Sequence, residues 1–473
     1  MLIAALAIPV VAYAHARLKA SLPAAGAHLN IAPREIRLDF SEVPELTFTK
    51  VELFDGSGKS IAVSGVAYPS DSKRSVVVTI RDALPAGDYT VAWQVAGDDG
   101  HPVRDRFAFV VAPGAMSGTV APANRPGTQE SAAAHDAAMD STSHHDAASM
   151  PQGEGFGVNS PLYVLIRWTM FSALLLIVGA VAFYQLVLRF MRGKQHADSS
   201  MFTDASLRAA RVGYRAAWAL LVVLLLRLFA QSVAMHGSAD VFNGGLLAAM
   251  IEKTAWGRGW LIQFAAIIVA GFGFYRAHAA VASSLSARRG WAIASVGAVI
   301  LAFTPGLAGH ASSAPKLPTL TLIADGLHVI GAGGWLGSLA IVLLAGIPAA
   351  LALEETPRIS MVAGLINAYS PTALIFAGIL AVTGTFAAWI HIGSISGLWE
   401  TTYGKTLLIK LAVLSLMFAT GAYNWLRVKP SLGTINGAAR IQRSARIEIA
   451  VGVLVLLVTA VLVALPTSMD MKM

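Results

Sequence analysis

Residues 161–188 read PLYVLIRWTMFSALLLIVGAVAFYQLVL, an apolar run with one charged side chain, Arg167. Because a helix needs about 20 apolar residues to cross the hydrocarbon core of a bilayer, this stretch predicts a membrane-spanning helix. Seven further segments of the same character follow, at roughly 212–235, 259–277, 290–308, 319–346, 362–390, 405–425 and 447–465. Residues 161–466 are therefore predicted to form an all-α bundle of eight transmembrane helices.

The composition of the whole chain agrees with this prediction. Of 473 residues, 55% are hydrophobic and 13% are charged, whereas soluble proteins carry roughly 25% charged residues. The formal net charge of +8 does not indicate nucleic-acid binding, because most basic residues lie in short loops between apolar segments. The lipid bilayer is thus an expected partner and nucleic acid is excluded. Since the chain has no cysteine, any metal must use nitrogen, oxygen or thioether ligands.

The distribution of basic residues predicts the orientation of the helices. Positive charge collects in cytoplasmic loops. The loops after the first, third, fifth and seventh segments hold Arg189, Arg192, Lys194, Arg208 and Arg211; Arg276, Arg288 and Arg289; Arg358; and Arg427, Lys429, Arg440, Arg443 and Arg446. The N-terminal region and the Met-rich tail, residues 467–473, are then expected on the outer side.

The N-terminal residues 1–14, MLIAALAIPVVAYA, are too short to span a bilayer and end in an A-x-A pattern. They are interpreted as a signal peptide. Because a basic first segment is missing, a retained anchor or an upstream start stays an alternative. Cleavage after Ala14 would make His15 the new N-terminus.

Residues 15–111 have the pattern of a soluble all-β domain. Runs such as EIRLDF, SVVVTI and YTVAWQV are separated by turn signals at intervals typical of a sandwich or Greek-key barrel of about seven strands. Residues 112–160 are rich in Ala, Pro, Gly and Ser and lack a hydrophobic period, which predicts a flexible linker. The linker's histidines and methionines are either a loose metal-gathering tether or chance composition.

Histidine placement indicates a metal on the outer side. Of twelve histidines, His196 and His278 are the two in predicted cytoplasmic regions. A mature N-terminal His15 would offer an α-amine and an imidazole, and the turn around Gly100 supplies the Asp99 carboxylate and the His101 imidazole. This nitrogen and oxygen set suits Cu(II). Because the amine must lose a proton, binding should weaken as the pH falls.

Two stretches of the β domain, HARLKASLPAAGAHLNIAPREIRLDFSE and LPAGDYTVAWQVAGDDGHPVRDRFAFVV, resemble the CopC family of periplasmic copper-resistance proteins. The resemblance implies a small β barrel or sandwich that holds Cu(II), with His15, Asp99 and His101 as its ligands. Glu42 matches a family position; it either lies beside the ligands or is a solvated carboxylate at a strand end. The family's Met-rich Cu(I) segment has no counterpart here.

The membrane part resembles the CopD family in DGLHVIGAGGWLGSL, AYSPTALIFAGILAVTGTFAAWIH and TTYGKTLLIKLAVL. The chain thus resembles a CopC and CopD fusion of the bacterial inner membrane, with its first domain in the periplasm. Periplasmic copper chaperones are a further candidate class of partner. The small residues of GAGGWLG predict close helix packing, without a ligand role.

Several ionisable or thioether side chains fall within the predicted helices, where such groups are functional candidates. His236, His310 and His391 end helices two, four and six on the outer side, Met235 precedes the first of them, and Asp325 and His328 share a face of helix five. These six residues form a candidate copper path for Cu(I) or Cu(II). Arg227 either pairs with Asp325 or lines that path, whereas Lys410 and Glu448 are expected to snorkel towards the membrane surfaces.

Two outer loops repeat a pattern. TAWGRGWLIQFA (254–265) aligns with TTYGKTLLIKLA (401–412), and each opens an odd-numbered helix. The alignment suggests two four-helix halves in the same orientation, with chance similarity of apolar helices as the alternative.

Three functions fit these observations. In the first, the outer domain captures Cu(II) and the helices pass copper inward, down a gradient or coupled to another ion, because no nucleotide-binding motif is evident; reduction to Cu(I) would suit Met235. In the second, the helices bind haem or copper for redox chemistry. In the third, they only anchor a copper buffer. No catalytic residue is predicted, and the first function is preferred.

Overall fold

The computed structural model describes residues 17–97, 102–117, 161–194, 199–280, 284–307, 317–392, 394–428, 435–463 and 465. The chain divides into two compact units. The first, called the β unit, comprises His15–Glu154 and Val233–Ala249. The second, called the helical unit, is built from Gly155–Ser232 and Met250–Met473 together with the first fourteen residues.

The β unit contains eight strands within residues 17–97 and 102–117, arranged in two sheets. Strands β1, β3 and β6 form one sheet in the order β1-β3-β6, and the other sheet has the order β2-β8-β7-β4-β5. All pairings are antiparallel except that of β2 with β8. The strands are β1 Leu18–Leu22, β2 His28–Ala32, β3 Glu35–Phe40, β4 Lys50–Asp55, β5 Ser60–Ile61, β6 Ser75–Thr79, β7 Gly87–Ala96 and β8 Pro102–Ser117.

Alternation of apolar and polar residues determines which strand faces point into the core. In β3, Ile36, Leu38 and Phe40 are 3% exposed or less, while the residues between them face outward. Successive side chains of a strand point to opposite faces, so one apolar stripe covers one face of the sheet. Phe40 meets Trp93 of the other sheet edge to face, with ring centroids 5.3 Å apart. The predicted β-sandwich class is thus confirmed.

The helical unit has eight helices that are long and apolar enough to cross a membrane within the described residues, as the sequence predicted. They are α1 Pro161–Arg192, α2 Ser200–His236, α3 Ala255–Ala279, α4 Leu285–Leu307, α5 Thr319–Leu351, α6 Arg358–Ile392, α7 Thr402–Arg427 and α8 Arg443–Leu462. The last four residues of α2 fall in the β unit. Several helices extend beyond their predicted bounds, because hydropathy detects only the apolar middle of a helix.

Glycines let α5 approach its neighbours closely. A Cβ atom on Gly337 would collide with the carbonyl oxygen of Leu175 in α1, and one on Gly179 would collide with the backbone of Gly337. Gly334 faces the ring of Phe376 in α6 in the same way. Gly334 and Gly337 belong to a π-helical turn of α5, Gly333–Gly337, and Gly179 is the α1 residue that lies against Gly337. The prediction that GAGGWLG serves close packing is therefore confirmed.

Candidate metal centre

The three predicted Cu(II) ligands, His15, Asp99 and His101, lie outside the described residues, as do His310, residues 118–160 and the Met-rich tail. Residues 112–117, which the sequence assigned to the linker, belong instead to strand β8. The structure does describe the residues that flank the ligands. Arg17 is two positions after His15. Ala96 and Pro102, which are paired across β7 and β8, bracket the segment that carries the other two.

Both flanks are hydrogen bonded to one short segment, residues 41–45. The Arg17 amide donates to the Ser41 hydroxyl at 2.9 Å, and the Ser41 amide donates to the Arg17 carbonyl at 2.8 Å. At the other end, the Glu45 amide donates to the Ala96 carbonyl at 2.9 Å. The described residues that flank the predicted ligands in the sequence, Arg17 and Ala96, are thus both bonded to residues 41–45.

Glu42 lies in the middle of the same segment, and only 9% of it is exposed. The interpretation of Glu42 as a solvated carboxylate is therefore wrong. Buried carboxylates are almost always paired or bound to a cation.

Met235 and His236 belong to the β unit, where two side chains hold the backbone that precedes His236. Gln94 Nε2 donates to the Met235 carbonyl at 2.9 Å, and Arg104 Nη2 donates to the Ala234 carbonyl at 2.7 Å. Arg104 Nε also donates to Gln94 Oε1 at 2.7 Å. The last carbonyl groups of a helix have no intrahelical donor. Gln94 and Arg104 supply donors to two of these carbonyl groups.

Met235 and His236 are both buried. Met235 is 1% exposed and His236 is 7% exposed. The His236 ring lies 5.6 Å from the ring of Phe48, centroid to centroid. Sequence reasoning missed the two side chains that hold this helix end; the available signal was a buried glutamine, Gln94, within the apolar run YTVAWQV.

In the helical unit, His328 of α5 is tied to α6. Its Nδ1 atom is 3.0 Å from Thr383 Oγ1, and Gly384 leaves room for the imidazole ring. Lys410 of α7 is the charged group that acts electrostatically on both Asp325 and His328. The structure therefore brings a carboxylate, an imidazole and an ammonium group into one neighbourhood.

Arg227 is not paired with Asp325, so that part of the sequence prediction is wrong. Its Nη1 atom donates to Met170 Sδ at 3.2 Å and to Gln263 Oε1 at 3.3 Å. These partners belong to α1 and α3, which are the neighbours of α2 at this level. The partner of a buried arginine depends on helix contacts that a single sequence does not reveal.

His391, at the end of α6, lies near Tyr403 of α7, with ring centroids 6.4 Å apart. Within the part of the chain that the structure describes, no three His, Asp or Glu side chains are grouped closely enough to hold a metal ion. The described residues of the predicted path, Met235, His236, Asp325, His328 and His391, are thus separate positions rather than one closed centre.

Helices α3 and α7, which hold equivalent places in the two halves of the suggested repeat, begin with the same cap. The Thr254 hydroxyl accepts a hydrogen bond from the Gly257 amide, and the Thr401 hydroxyl accepts one from the Gly404 amide, each at 3.0 Å. In both places a Cβ on the glycine would collide with backbone of the preceding short helix. This shared geometry favours a repeat over chance similarity.

A β sandwich followed by eight helices of membrane-spanning length defines a multi-pass membrane protein with an added N-terminal domain. Family models identify the parts: a CopC domain at residues 18–112, a copper resistance protein D-like N-terminal domain at 158–315, and a copper resistance protein D domain at 363–462. The chain therefore belongs to the copper-resistance family, as a CopC and CopD fusion.

Individual relatives cover the whole chain and each of its parts. Copper transport protein CutJ of Bacillus subtilis is 24% identical over 461 residues, covering 97% of this chain and 76% of that protein. Copper resistance protein D of Pseudomonas syringae is 26% identical over 67% of this chain and 100% of its own length. Copper resistance protein C of Escherichia coli is 33% identical over 21% of this chain and 83% of its own length. The chain is thus a member of the copper transport and resistance family.

Proposed function

We propose that this protein captures Cu(II) on the outer side of the bacterial inner membrane and passes copper inward. His15, Asp99 and His101 are the proposed ligands of the outer site. The observation that carries the proposal is the hydrogen bonding of both flanks of these ligands to residues 41–45, close to a helix end that carries Met235 and His236.

The outer site is proposed to use one α-amine, two imidazoles and one carboxylate. The segment 41–45 supports this because its hydrogen bonds link Arg17, which precedes β1, to Ala96, the last residue of β7. Glu42, buried in that segment, is proposed to orient or neutralise the site. Since protons compete for the amine and the imidazoles, Cu(II) affinity is expected to fall with pH.

Transfer from the outer site is proposed to proceed through Met235 and His236. Gln94 and Arg104, which bond the backbone of this helix end, are paired across β7 and β8. This pair is two residues along the strands from the terminal pair, Ala96 and Pro102. Two strand residues span about 7 Å. A buried thioether is a soft ligand that suits Cu(I), so Met235 is proposed to bind copper after a one-electron donor outside this chain has reduced the captured Cu(II).

Passage through the helices is proposed to use Asp325 and His328, with His310 and His391 as outer positions. Lys410 acts on the first two residues, so a copper ion there must compete with a resident positive charge. Weak, successive sites suit conduction better than one tight site, because the ion must also leave. The absence of a three-residue metal cluster among the described side chains is compatible with such a path.

Copper accumulation in cells tests this function. Compared with wild type, His101→Ala and His328→Ala are each expected to lower cellular copper if the protein imports it. His28→Ala, an exposed position on β2, and His278→Ala, at the end of α3, are matched controls. Higher accumulation in both test variants would overturn inward passage in favour of export.

Two further outcomes would support the other hypotheses. If His328→Ala leaves cellular copper unchanged while His101→Ala abolishes copper binding, the helices anchor a buffer and do not transport. A Soret band in the purified protein would identify haem and support the redox hypothesis.

A further inference from the structure

A buried carboxylate lies in the helical unit away from the proposed copper path. Glu448 of α8 is only 7% exposed, and the Asn424 side chain of α7 donates from Nδ2 to its Oε1 atom. The prediction that Glu448 snorkels to the surface is therefore wrong. Moving a carboxylate out of water costs several kcal/mol unless it is compensated, so this placement requires an explanation.

Among the side chains that the structure describes, no positive charge acts electrostatically on Glu448. Tyr369 of α6 is the titratable side chain that acts on Glu448 electrostatically, and its hydroxyl donates instead to the Trp335 carbonyl of α5 at 3.1 Å. From α1, Trp168 contacts α8 through the Val453 carbonyl. Within the described residues Glu448 forms no salt bridge. Its compensation is thus one amide group.

Only the Nδ2 group of the Asn424 amide takes part in this bond. Asn424 Oδ1 is buried and has no hydrogen-bond partner within the described part of the chain. An ionised Glu448 accepts a bond from Nδ2, as observed. A protonated Glu448 carries an O–H donor that the Oδ1 acceptor can receive after the amide rotates. The two side chains can therefore share a hydrogen bond both with and without a proton on the carboxylate.

A metal cation fits this pair less well than a proton. Hard cations take six or more oxygen ligands, whereas the pair supplies one carboxylate and one amide oxygen. The neighbouring Trp335 carbonyl is already occupied by Tyr369. A proton binds to a single oxygen atom, so the pair suits a proton better than a metal cation.

We infer that Glu448 and Asn424 form a proton-binding site in the inner half of the helical unit that couples copper passage to proton movement. Glu448 is five residues from the first residue of α8, or about 8 Å at 1.5 Å per residue, on the side where basic loop residues predict the cytoplasm. The coupling rests on the proposed function. The proton site itself does not.

Infrared difference spectroscopy between acid and alkaline pH tests the proton site, with the full chain in nanodiscs. Wild type is expected to show a carboxyl C=O band at the position of a group shielded from water. The band should be lost in Glu448→Gln, retained in Glu354→Gln, which alters an exposed carboxylate, and displaced in Asn424→Leu. Identical spectra for wild type and Glu448→Gln would overturn the site.

Flux measurements in proteoliposomes test the coupling. An imposed pH gradient is expected to change wild-type copper uptake by about tenfold, within the range typical of coupling between two sites. Glu448→Gln should equilibrate copper without this dependence, and Glu354→Gln should behave as wild type. If Glu448→Gln keeps the full dependence, the coupling is overturned while transport stands. If wild type moves no copper, the proposed function and the coupling fail together, and the infrared result alone decides the proton site.

Discussion

Both units contain partly exposed ion pairs, such as Arg208 with Asp204 in the helical unit, but the helical unit also carries unpaired ionisable groups on its membrane-length helices. In the β unit, Arg37 bonds Asp39 at 3.0 Å and Asp71 at 2.9 Å, and all three side chains are partly exposed. In the helical unit, Asp325, Lys410 and Glu448 form no ion pair among the described residues. Ionisable groups in a membrane interior are costly and mark functional positions, whereas exposed ion pairs contribute little.

The two units also pack differently. Large side chains such as Phe40 and Trp93 fill the space between the two sheets of the β unit. The helical unit instead brings backbones together at Gly179 and Gly337. The hydrophobic effect drives the first arrangement, but it does not act between helices in lipid, where close van der Waals contact must replace it.

The comparison indicates where each unit keeps its chemistry. The β unit carries its proposed ligands beside strand ends, on a core that does not depend on them. The helical unit carries its ionisable groups on the helices themselves, so packing and chemistry share the same elements. Substitutions should therefore separate binding from stability in the first unit more cleanly than in the second.

The largest expected effect is on copper binding by the β unit. His101→Ala should raise the Kd for Cu(II) by more than the roughly 10- to 100-fold that loss of an outer-shell partner costs at metal sites, because it removes a proposed ligand. The Tm of the protein should stay close to that of wild type. Isothermal titration with a competing chelator measures the affinity, and His28→Ala is the control. Equal Cu(II) affinities for His101→Ala and His28→Ala would show that His101 is not a ligand of the site.

In the helical unit, packing should be most sensitive at the α1–α5 crossing. Gly337→Ala should destabilise the protein by about 1–3 kcal/mol, the usual cost of overpacking, because the added Cβ meets the Leu175 carbonyl. Gly378→Ala, on α6 with open space around it, should be neutral or slightly stabilising. Thermal unfolding in detergent compares the two. Similar Tm values would contradict the close crossing.

A smaller effect is expected where the β unit holds the end of α2. Arg104→Ala removes the bonds to the Ala234 carbonyl and to Gln94 Oε1. At roughly 1 kcal/mol for each hydrogen bond, it should slow copper delivery from the outer domain by at least about fivefold. Its Kd for Cu(II) should be unchanged. Arg106→Ala, on the same strand and exposed, is the control. Single-turnover copper uptake into proteoliposomes measures the rate, and equal rates would exclude a role for this contact in transfer.

The smallest effect concerns an exposed turn of the β unit. Hydrogen bonds from Ser57 and from the Lys59 amide hold the pKa of Asp55 below its ordinary value. The ionised form is therefore stabilised at neutral pH, and this contribution is lost as the pH falls through the folded-state pKa. Asp55→Asn should lower the Tm slightly at pH 7 and have less effect in acid. A Tm difference that grows towards low pH would contradict this sign; Asp82→Asn is the control.

The fold was predictable because its signals are local. Apolar runs and alternating strands such as EIRLDF predicted eight membrane helices and a β sandwich without knowledge of any contact. The shared Thr254 and Thr401 caps were likewise visible as a repeated loop.

The side-chain partners were less predictable because they depend on which helices and strands meet. Arg227 donates hydrogen bonds to Met170 and Gln263 and does not pair with Asp325. Glu448 was expected to reach solvent and is buried, and burial also excludes the solvated alternative for Glu42. A single sequence records the residue type and its position along the chain, whereas a partner several dozen or more residues away is determined by the fold.

The proposed capture of Cu(II) depends most on a freed His15 amine as a copper ligand. The direct measurement is the Cu(II) affinity of the full chain in nanodiscs, with the mature N-terminus verified by mass spectrometry and compared with a version that carries one added glycine before His15. The extension keeps every side chain but removes the amine from His15. We predict an affinity loss of at least about tenfold, the lower end of the cost of disturbing a metal site. Equal affinities would show that the site does not use the N-terminus and would contradict the proposed capture of copper.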